Sequence, residues 1–238
     1  MNFGIIAAGE GSRLVQEGVR YPKPLVRIQG KPMIERLIDI FVDCGAESIS
    51  VIVNEQMTEV ADFLRNLSGS LPCKFNLIVK STPTSMHSFY ELSSLMEGKG
   101  RFILTTVDTI FREDDFRKYA EAFVSAPVDV DGMMAVTTFI DDEKPLYVAA
   151  DEDSNITAFL DKPEPGVKYV SGGIYGLSGK AIPVLRKCIE DGVGRMRNYQ
   201  RALVSDGLRL KAYDMNKILD VDHASDIEKA ESFLSKIN

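Results

Sequence analysis

Hydrophobic positions along the chain fall into two alternating rhythms. Short, largely apolar runs at residues 3–8, 49–53, 75–79 and 102–107 read as buried strands. Between them lie stretches with helical spacing. At residues 34–42, Ile34, Leu37, Ile38 and Phe41 share one face. Pro32 stands near the start, where a missing N–H costs little, and Gly45 follows the end. Similar stretches at 57–67 and 86–95 give two more helices. Strands alternating with helices of this length predict an α/β chain with a mainly parallel sheet covered by helices on both faces. After residue 125 the rhythm changes. Residues 133–139, 146–150, 156–160 and 169–177 read as strands without full helices between them, which predicts a mixed or antiparallel extension lying over one end of the sheet. Helices return at 181–190, 196–205 and 225–235. No repeat, low-complexity tract or long linker interrupts this order, so the expectation is one domain spanning 1–238.

Charge narrows the partners. The 238 residues carry a formal charge of −7. Such a chain lacks the lysine and arginine excess that a sequence-independent grip on nucleic acid requires. A few local cations and backbone N–H groups still suffice for a triphosphate. Cys44, Cys73 and Cys188 are widely spaced and odd in number, which suits reduced thiols packed as small hydrophobes. No basic N-terminal stretch precedes a long apolar one, and no run approaches the ~18 apolar residues of a membrane span. The expectation is a soluble cytoplasmic protein with neither a nucleic acid nor a membrane as partner.

The loop after the first strand carries the first candidate chemistry. It reads Gly9-Glu10-Gly11-Ser12-Arg13-Leu14, followed by Tyr21-Pro22-Lys23-Pro24-Leu25. In open α/β sheets ligands bind beyond the carboxyl ends of strands. The glycines let backbone N–H groups approach phosphate oxygens, while Arg13 and Lys23 offer a forked donor and a compact point charge. A P-loop would need Lys-Ser or Lys-Thr after its last glycine. The dinucleotide fingerprint would need a third glycine where Leu14 stands and an immediate helix, and Pro22 and Pro24 break up the segment. A bare Gly-x-Gly also serves as a surface turn; the full stretch with Arg13 and Lys23 is more specific.

Carboxylates supply the second. Asp108 closes the strand at 102–107, where it could face a bound cation or make an Asx turn or helix cap. Asp220 and Asp222 stand two apart in Leu219-Asp220-Val221-Asp222-His223, so in a strand both would point one way. Asp222 or Ser225 could instead cap the final helix.

Ala7-Ala8-Gly9-Glu10-Gly11-Ser12-Arg13-Leu14, Pro22-Lys23-Pro24-Leu25 and Gly30-Lys31-Pro32-Met33-Ile34 together resemble, in order, the signature of the nucleotidyltransferases that make nucleotide sugars and related activated metabolites. The resemblance implies a Rossmann-like nucleotide-diphospho-sugar transferase fold of the GT-A-like kind, with residues 1–125 binding the nucleotide and 126–238 binding the acceptor. It implies that Ala7, Ala8, Gly9, Glu10, Gly11 and Ser12, with Arg13 and Lys23, cradle a triphosphate. Asp108 and Asp222 would hold Mg²⁺, with Asp220 a weaker candidate acting through water. Mg²⁺ takes one or two carboxylates plus phosphate oxygens and water, which fits so sparse a set. Val107 and His223 depart from the family's usual neighbours. His223 remains a neighbour, because imidazole is a poor magnesium ligand, and His87 reads as a helix-surface residue.

On the acceptor side, Asp161-Lys162-Pro163 resembles the family's Glu-Lys-Pro element, making Lys162 a candidate for charge stabilisation during transfer. Ser171-Gly172-Gly173-Ile174-Tyr175 resembles the family's acceptor-floor segment, with Ser171 in place of asparagine, so Gly172, Gly173 and Tyr175 are acceptor candidates. Thr84, Ser85 and Ser88 stand where a base or ribose would be met, and Thr84 or Ser85 would equally cap the following helix. The implied reaction joins an NTP, with CTP or UTP favoured, to a sugar phosphate or other small phosphorylated metabolite and releases pyrophosphate. The chain is similar to phosphocholine-type and polyol-phosphate cytidylyltransferases as well as to hexose-1-phosphate enzymes. Its rivals are a glycosyltransferase using a nucleotide sugar, which usually carries its Asp-x-Asp pair mid-chain, and a nucleotide-binding regulatory module without turnover.

Overall fold

In the computed structural model of this protein, which describes residues 1–141 and 143–235, the apolar runs become neighbouring strands. Strand β1 (Asn2–Ala7) is followed by helix α1 (Ser12–Gln16), a 3-10 turn (Lys23–Leu25), strands β2 (Arg27–Ile28) and β3 (Lys31–Pro32), and helix α2 (Met33–Asp43). β4 (Ser48–Val53), α3 (Thr58–Ser68), β5 (Lys74–Val79) and α4 (Ser85–Met96) continue the alternation. β6 (Arg101–Thr106) leads through β7 (Thr109–Ile110) into α5 (Glu113–Ser125). The remainder comprises β8 (Gly132–Thr137), β9 (Tyr147–Ala150), β10 (Ile156–Leu160), β11 (Tyr169–Ser178), α6 (Ala181–Glu190) and α7 (Met196–Ser205), then β12 (Leu210–Asp214), β13 (Leu219–Asp220) and α8 (Ala224–Ser235).

The first half of the sheet runs β6-β1-β4-β5, every neighbour parallel, with Ile5 opposite Val51 on one side and Thr105 on the other. Its inner strands β1, β4 and β6 are almost wholly buried because helices cover both faces, whereas the edge strand β5 is half-buried. Buried side chains of α2, α3 and α5 pack against one face, and those of α4, α6 and α7 against the other. Phe3 stacks on Phe41 at 4.4 Å, Phe41 meets Phe116 at 5.3 Å and Phe116 stacks on Phe111 at 4.9 Å. This chain of rings fastens α2 and α5 to β1, each pair adding about 0.5–1.5 kcal/mol beyond its buried area.

The fold differs from the sequence reading at several places. The mixed extension does not lie over one end of the sheet. β11 joins it edge-on, antiparallel to β6, and β8 and β9 pair with β11 in turn. Helix α5 was not predicted, because the acidic start Glu113-Asp114-Asp115 obscures a face made by Phe116, Tyr119, Ala120 and Phe123. Those acids suit a helix N-terminus. Helix α1 does follow the glycine loop directly, held by the buried Leu14. β12 was also unpredicted; its half-polar sequence is a strand because it lies parallel against β8. Among the described residues no helix is long and apolar enough to cross a membrane.

Two consequences position the site. The carboxyl ends of β1, β4, β5 and β6 lie together at one edge, which places residues 8–11, 54–56, 80–85 and 107–109 side by side. The short β13 pairs antiparallel with β7, Asp220 opposite Thr109, and the Val221 N–H donates to the Asp108 carbonyl at 3.1 Å. That ladder carries the C-terminal carboxylates to the mouth of β6.

Candidate active site

At the centre of this edge sits Lys23. Its Nζ donates to Asp108 Oδ2 at 2.5 Å and to Asp222 Oδ1 at 2.6 Å, while Arg13 Nη1 lies 3.3 Å from Asp222 Oδ2. Residues 13, 23, 108 and 222 therefore converge on one point from four separate parts of the chain. Burial alone would lower the Lys23 pKa, but the charges of both carboxylates, and their hydrogen bonds, outweigh it and raise it. Burial alone would likewise raise the Asp108 pKa; Lys23 and the Thr106 hydroxyl bring it below its ordinary value. Asp108 does not cap a helix, because β7 follows it and α5 begins only at Glu113. Nor does Asp222 or Ser225 cap α8. Glu17 Oε2 accepts the Ala224 N–H at 2.6 Å, and Asp226 Oδ2 accepts the N–H groups of Asp222 at 3.2 Å and His223 at 2.8 Å. Asp222 stands beyond the two-residue β13 rather than within a strand shared with Asp220.

Among the described residues, no three His, Cys, Asp or Glu side chains converge at metal-ligand spacing. The donor set is the two carboxylates that already share one cation. That set fits Mg²⁺, whose other positions go to phosphate oxygens and water, and is too sparse for a structural zinc site.

A hollow of about 630 Å³ opens over this cluster. Ala8, Gly9, Glu10, Gly11 and Ser12 form one wall, with Arg13, Lys23, Asp108 and Asp222 at the floor. Thr84, Ser85 and Ser88 face it from the start of α4. Thr84 Oγ1 meets His87 Nδ1 at 2.9 Å and does not cap the helix, and Ser88 Oγ meets Thr82 Oγ1 at 2.6 Å. Ala7 is buried in the core and does not line the hollow. Gly11 is left-handed, φ +62°, and a Cβ there would come within 2.9 Å of the Lys23 Cβ. Gly11→Ala should therefore strain the turn and displace Lys23 together. The expected result is a fall of at least about tenfold in kcat/KM in a steady-state assay, with the circular-dichroism spectrum unchanged.

A second hollow of about 230 Å³ adjoins the first, and Arg13 and Asp222 line both. Ser171, Gly172, Asp220 and Lys229 also line it. Gly172 and Gly173 lie in a β-bulge of β11, between Ser171 and Tyr175. Gly173, φ +72°, turns toward the Thr106 and Thr109 hydroxyls and away from the hollow; a Cβ would fall 2.7 Å from Thr109 Oγ1. Tyr175 is buried in the core, where burial and then the nearby charges of Asp220 and Asp108 raise its pKa. Lys162 is exposed after β10 and lines neither hollow, and its neighbour Asp161 is held by Arg197 at 2.7 Å and Arg201 at 2.8 Å. His223 Nδ1 lies 2.6 Å from Glu17 Oε1, a hydrogen bond that raises the imidazole's pKa and lowers the carboxyl's.

Sequence reasoning passed over several lining residues. Asn54 and Gln56 follow β4, Thr106 ends β6, and Lys229 reaches the second hollow from α8. For Asn54 a usable signal existed, since a polar residue closing a buried strand stands where α/β proteins bind ligands. For Lys229, on an amphipathic helix surface, none did.

A glycine loop beside paired cations and carboxylates, at the carboxyl edge of a parallel sheet, defines an α/β protein with its ligand site where open sheets of this class carry one. The chain belongs to the nucleotidyl transferase family, whose model matches residues 4–236. It is 26% identical over 249 residues to the bifunctional protein GlmU of Methanococcus maripaludis, covering 100% of this chain and 55% of that protein. The chain thus spans about half the length of the curated relatives it matches first. In fold it is similar to a Bacillus anthracis protein assigned as a glucose-1-phosphate thymidylyltransferase, with a TM-score of 0.84 at 22% identity over 100% of this chain and 96% of that one. It is also similar to the inositol-1-phosphate CTP transferase from T. maritima, with a TM-score of 0.78 at 17% identity over 99% and 98% of the two chains.

Proposed function

We propose that this chain is a Mg²⁺-dependent nucleotidyltransferase that moves the NMP unit of CTP or UTP onto a sugar phosphate or other small phosphorylated metabolite, releasing pyrophosphate. The observation that carries the reading is the convergence of Lys23, Asp108 and Asp222 beneath the glycine loop. Family membership supports the reaction class.

In this reading residues 8–12 and Arg13 hold the triphosphate in the larger hollow, and the acceptor enters the smaller one. Arg13 and Asp222 line both hollows, so in this reading the α-phosphoryl group lies at their junction. Asp108 and Asp222 would hold Mg²⁺, which supplies charge neutralisation to the phosphate oxygens when bound. Lys23, released from its two carboxylates, turns its charge toward the leaving pyrophosphate. Arg13 forks across two oxygens of the group in transfer. The acceptor phosphate is already ionised at neutral pH, so no side chain needs to remove a proton from it. Alignment and charge neutralisation then supply the rate enhancement.

The test is a pyrophosphate-release screen of the four NTPs with Mg²⁺ against sugar 1-phosphates, phosphocholine, phosphonates and inositol phosphates. The expected outcome is release with CTP or UTP and one acceptor class, abolished by EDTA and restored by excess Mg²⁺. Release from no pair, or transfer from a nucleotide sugar without pyrophosphate formation, would sink the proposal.

A further inference from the structure

Asn54 is the first residue after β4, and β4 lies between β1 and β5 in the sheet. Only 5% exposed, its side chain reaches toward both neighbours. Nδ2 donates to the Ala8 carbonyl at 3.2 Å, immediately ahead of the glycine loop. Oδ1 accepts from the Ser81 hydroxyl at 2.9 Å and from the Gln56 N–H at 3.0 Å. Ala8, Asn54, Gln56 and Ser81 all line the larger hollow, so one buried carboxamide ties its opposite walls together. The two ends of the side chain need opposite polarity. An ionised carboxylate accepts but cannot donate to the Ala8 carbonyl, and a hydrocarbon does neither.

Resting on the reading above, in which the phosphates lie along residues 8–13 and the base and ribose along residues 81–88, we propose that Asn54 is a positioning residue that sets the span between the glycine loop and the Ser81 segment. It makes the hollow fit a whole nucleoside triphosphate rather than a phosphate chain alone. A ligand gripped at both ends loses alignment when either wall drifts, whereas one gripped only at the phosphates does not.

Ser81→Ala removes one arm of the clamp and Asn54→Asp the other, and the double variant shows whether the arms act as a unit. Ser81→Ala should raise the KM for the NTP about fivefold and Asn54→Asp about tenfold, both within the range of one lost buried hydrogen bond. The double variant should be no worse than Asn54→Asp alone. The KM for the acceptor should stay unchanged, and inhibition of Ser81→Ala by magnesium tripolyphosphate should match that of the wild type. A double variant whose loss is the product of the two singles would overturn the proposal, as would an acceptor KM that rises in step. If Asn54→Asp does not fold, Ser81→Ala decides alone: equal weakening of NTP and tripolyphosphate, or weakening of neither, overturns the clamp. The same comparison can be read from calorimetric dissociation constants. A chain that binds NTPs without releasing pyrophosphate then loses the reaction while the clamp is still judged, and one that binds no NTP loses both.

Discussion

Asp108→Asn and Asp222→Asn should each lower the rate of nucleotidyl transfer by at least about a thousandfold, roughly 4 kcal/mol of transition-state stabilisation. Each substitution keeps the side chain's shape and removes one of the two negative charges that converge on Lys23. With only two carboxylates in the donor set, losing one removes half of the protein's share of the metal's ligands. The fold should survive, because Asp108 and Asp222 sit at the sheet's edge and contribute nothing to its apolar clusters. Quenched-flow measurement of pyrophosphate release, set beside thermal denaturation, checks both halves of the prediction. Asp220→Asn, acting at longer range, should cost about tenfold or less. A magnesium-supported rate close to wild type in either of the first two variants would remove that residue from the metal site.

Lys23→Met has the second-largest effect, on stability and on catalysis. The side chain is 10% exposed and is the closest cation to both carboxylates, so its loss leaves two like charges facing each other. Breaking a buried pair from one side is costly, up to about 3–5 kcal/mol when the remaining charge is fully enclosed. Asp108 retains 24% side-chain exposure and Asp222 43%, so the penalty here lies below that limit. Without divalent ions the variant should melt at a lower temperature than the wild type. Millimolar Mg²⁺ or Mn²⁺ without nucleotide should restore much of that loss, because an ion that binds the folded state alone stabilises it. The wild type, whose carboxylates are already neutralised by Lys23, should respond far less. The metal that restores stability should not restore catalysis, with kcat/KM falling about a hundredfold or more as the triphosphate loses its point charge. Thermal-shift titrations of both proteins decide the matter, and equal metal responses would refute the role given to Lys23.

The parallel half of the sheet was legible because its strands are short, largely apolar runs set between helical stretches; β1, β4 and β6 are buried along most of their length, and β5, half-buried at the sheet's edge, still carries Phe75, Leu77, Ile78 and Val79. Strand β12 needed context, since Leu210–Asp214 is half polar and is a strand only through its pairing with β8. The placement of the extension was hidden for a related reason. β11 pairs with β6, β8 and β9 along its length, and no spacing in the sequence encodes that choice. At the site, the glycine loop, Arg13, Lys23 and the carboxylates could be picked out because charge and glycine are conspicuous against apolar strands. Lys162, Gly173 and Tyr175 were picked out by resemblance alone, and their surroundings could not be read in advance: one lies on an exposed loop, one in a bulge facing threonines, one in the core. Asn54 was missed for the opposite reason. A lone amide has no motif, and its importance comes from three bonds to segments 46, 2 and 27 residues away.

Arg13 and Asp222 border both hollows, so a molecule in either one alters the charge that the other presents. Thermodynamic reciprocity then governs the two ligands: whatever factor the first contributes to the affinity of the second, the second returns to the first. Dissociation constants measured for either alone will differ from those in the ternary complex, and the ratio gives the coupling directly. A chemist designing an inhibitor for one compartment is, through these two side chains, also adjusting the other.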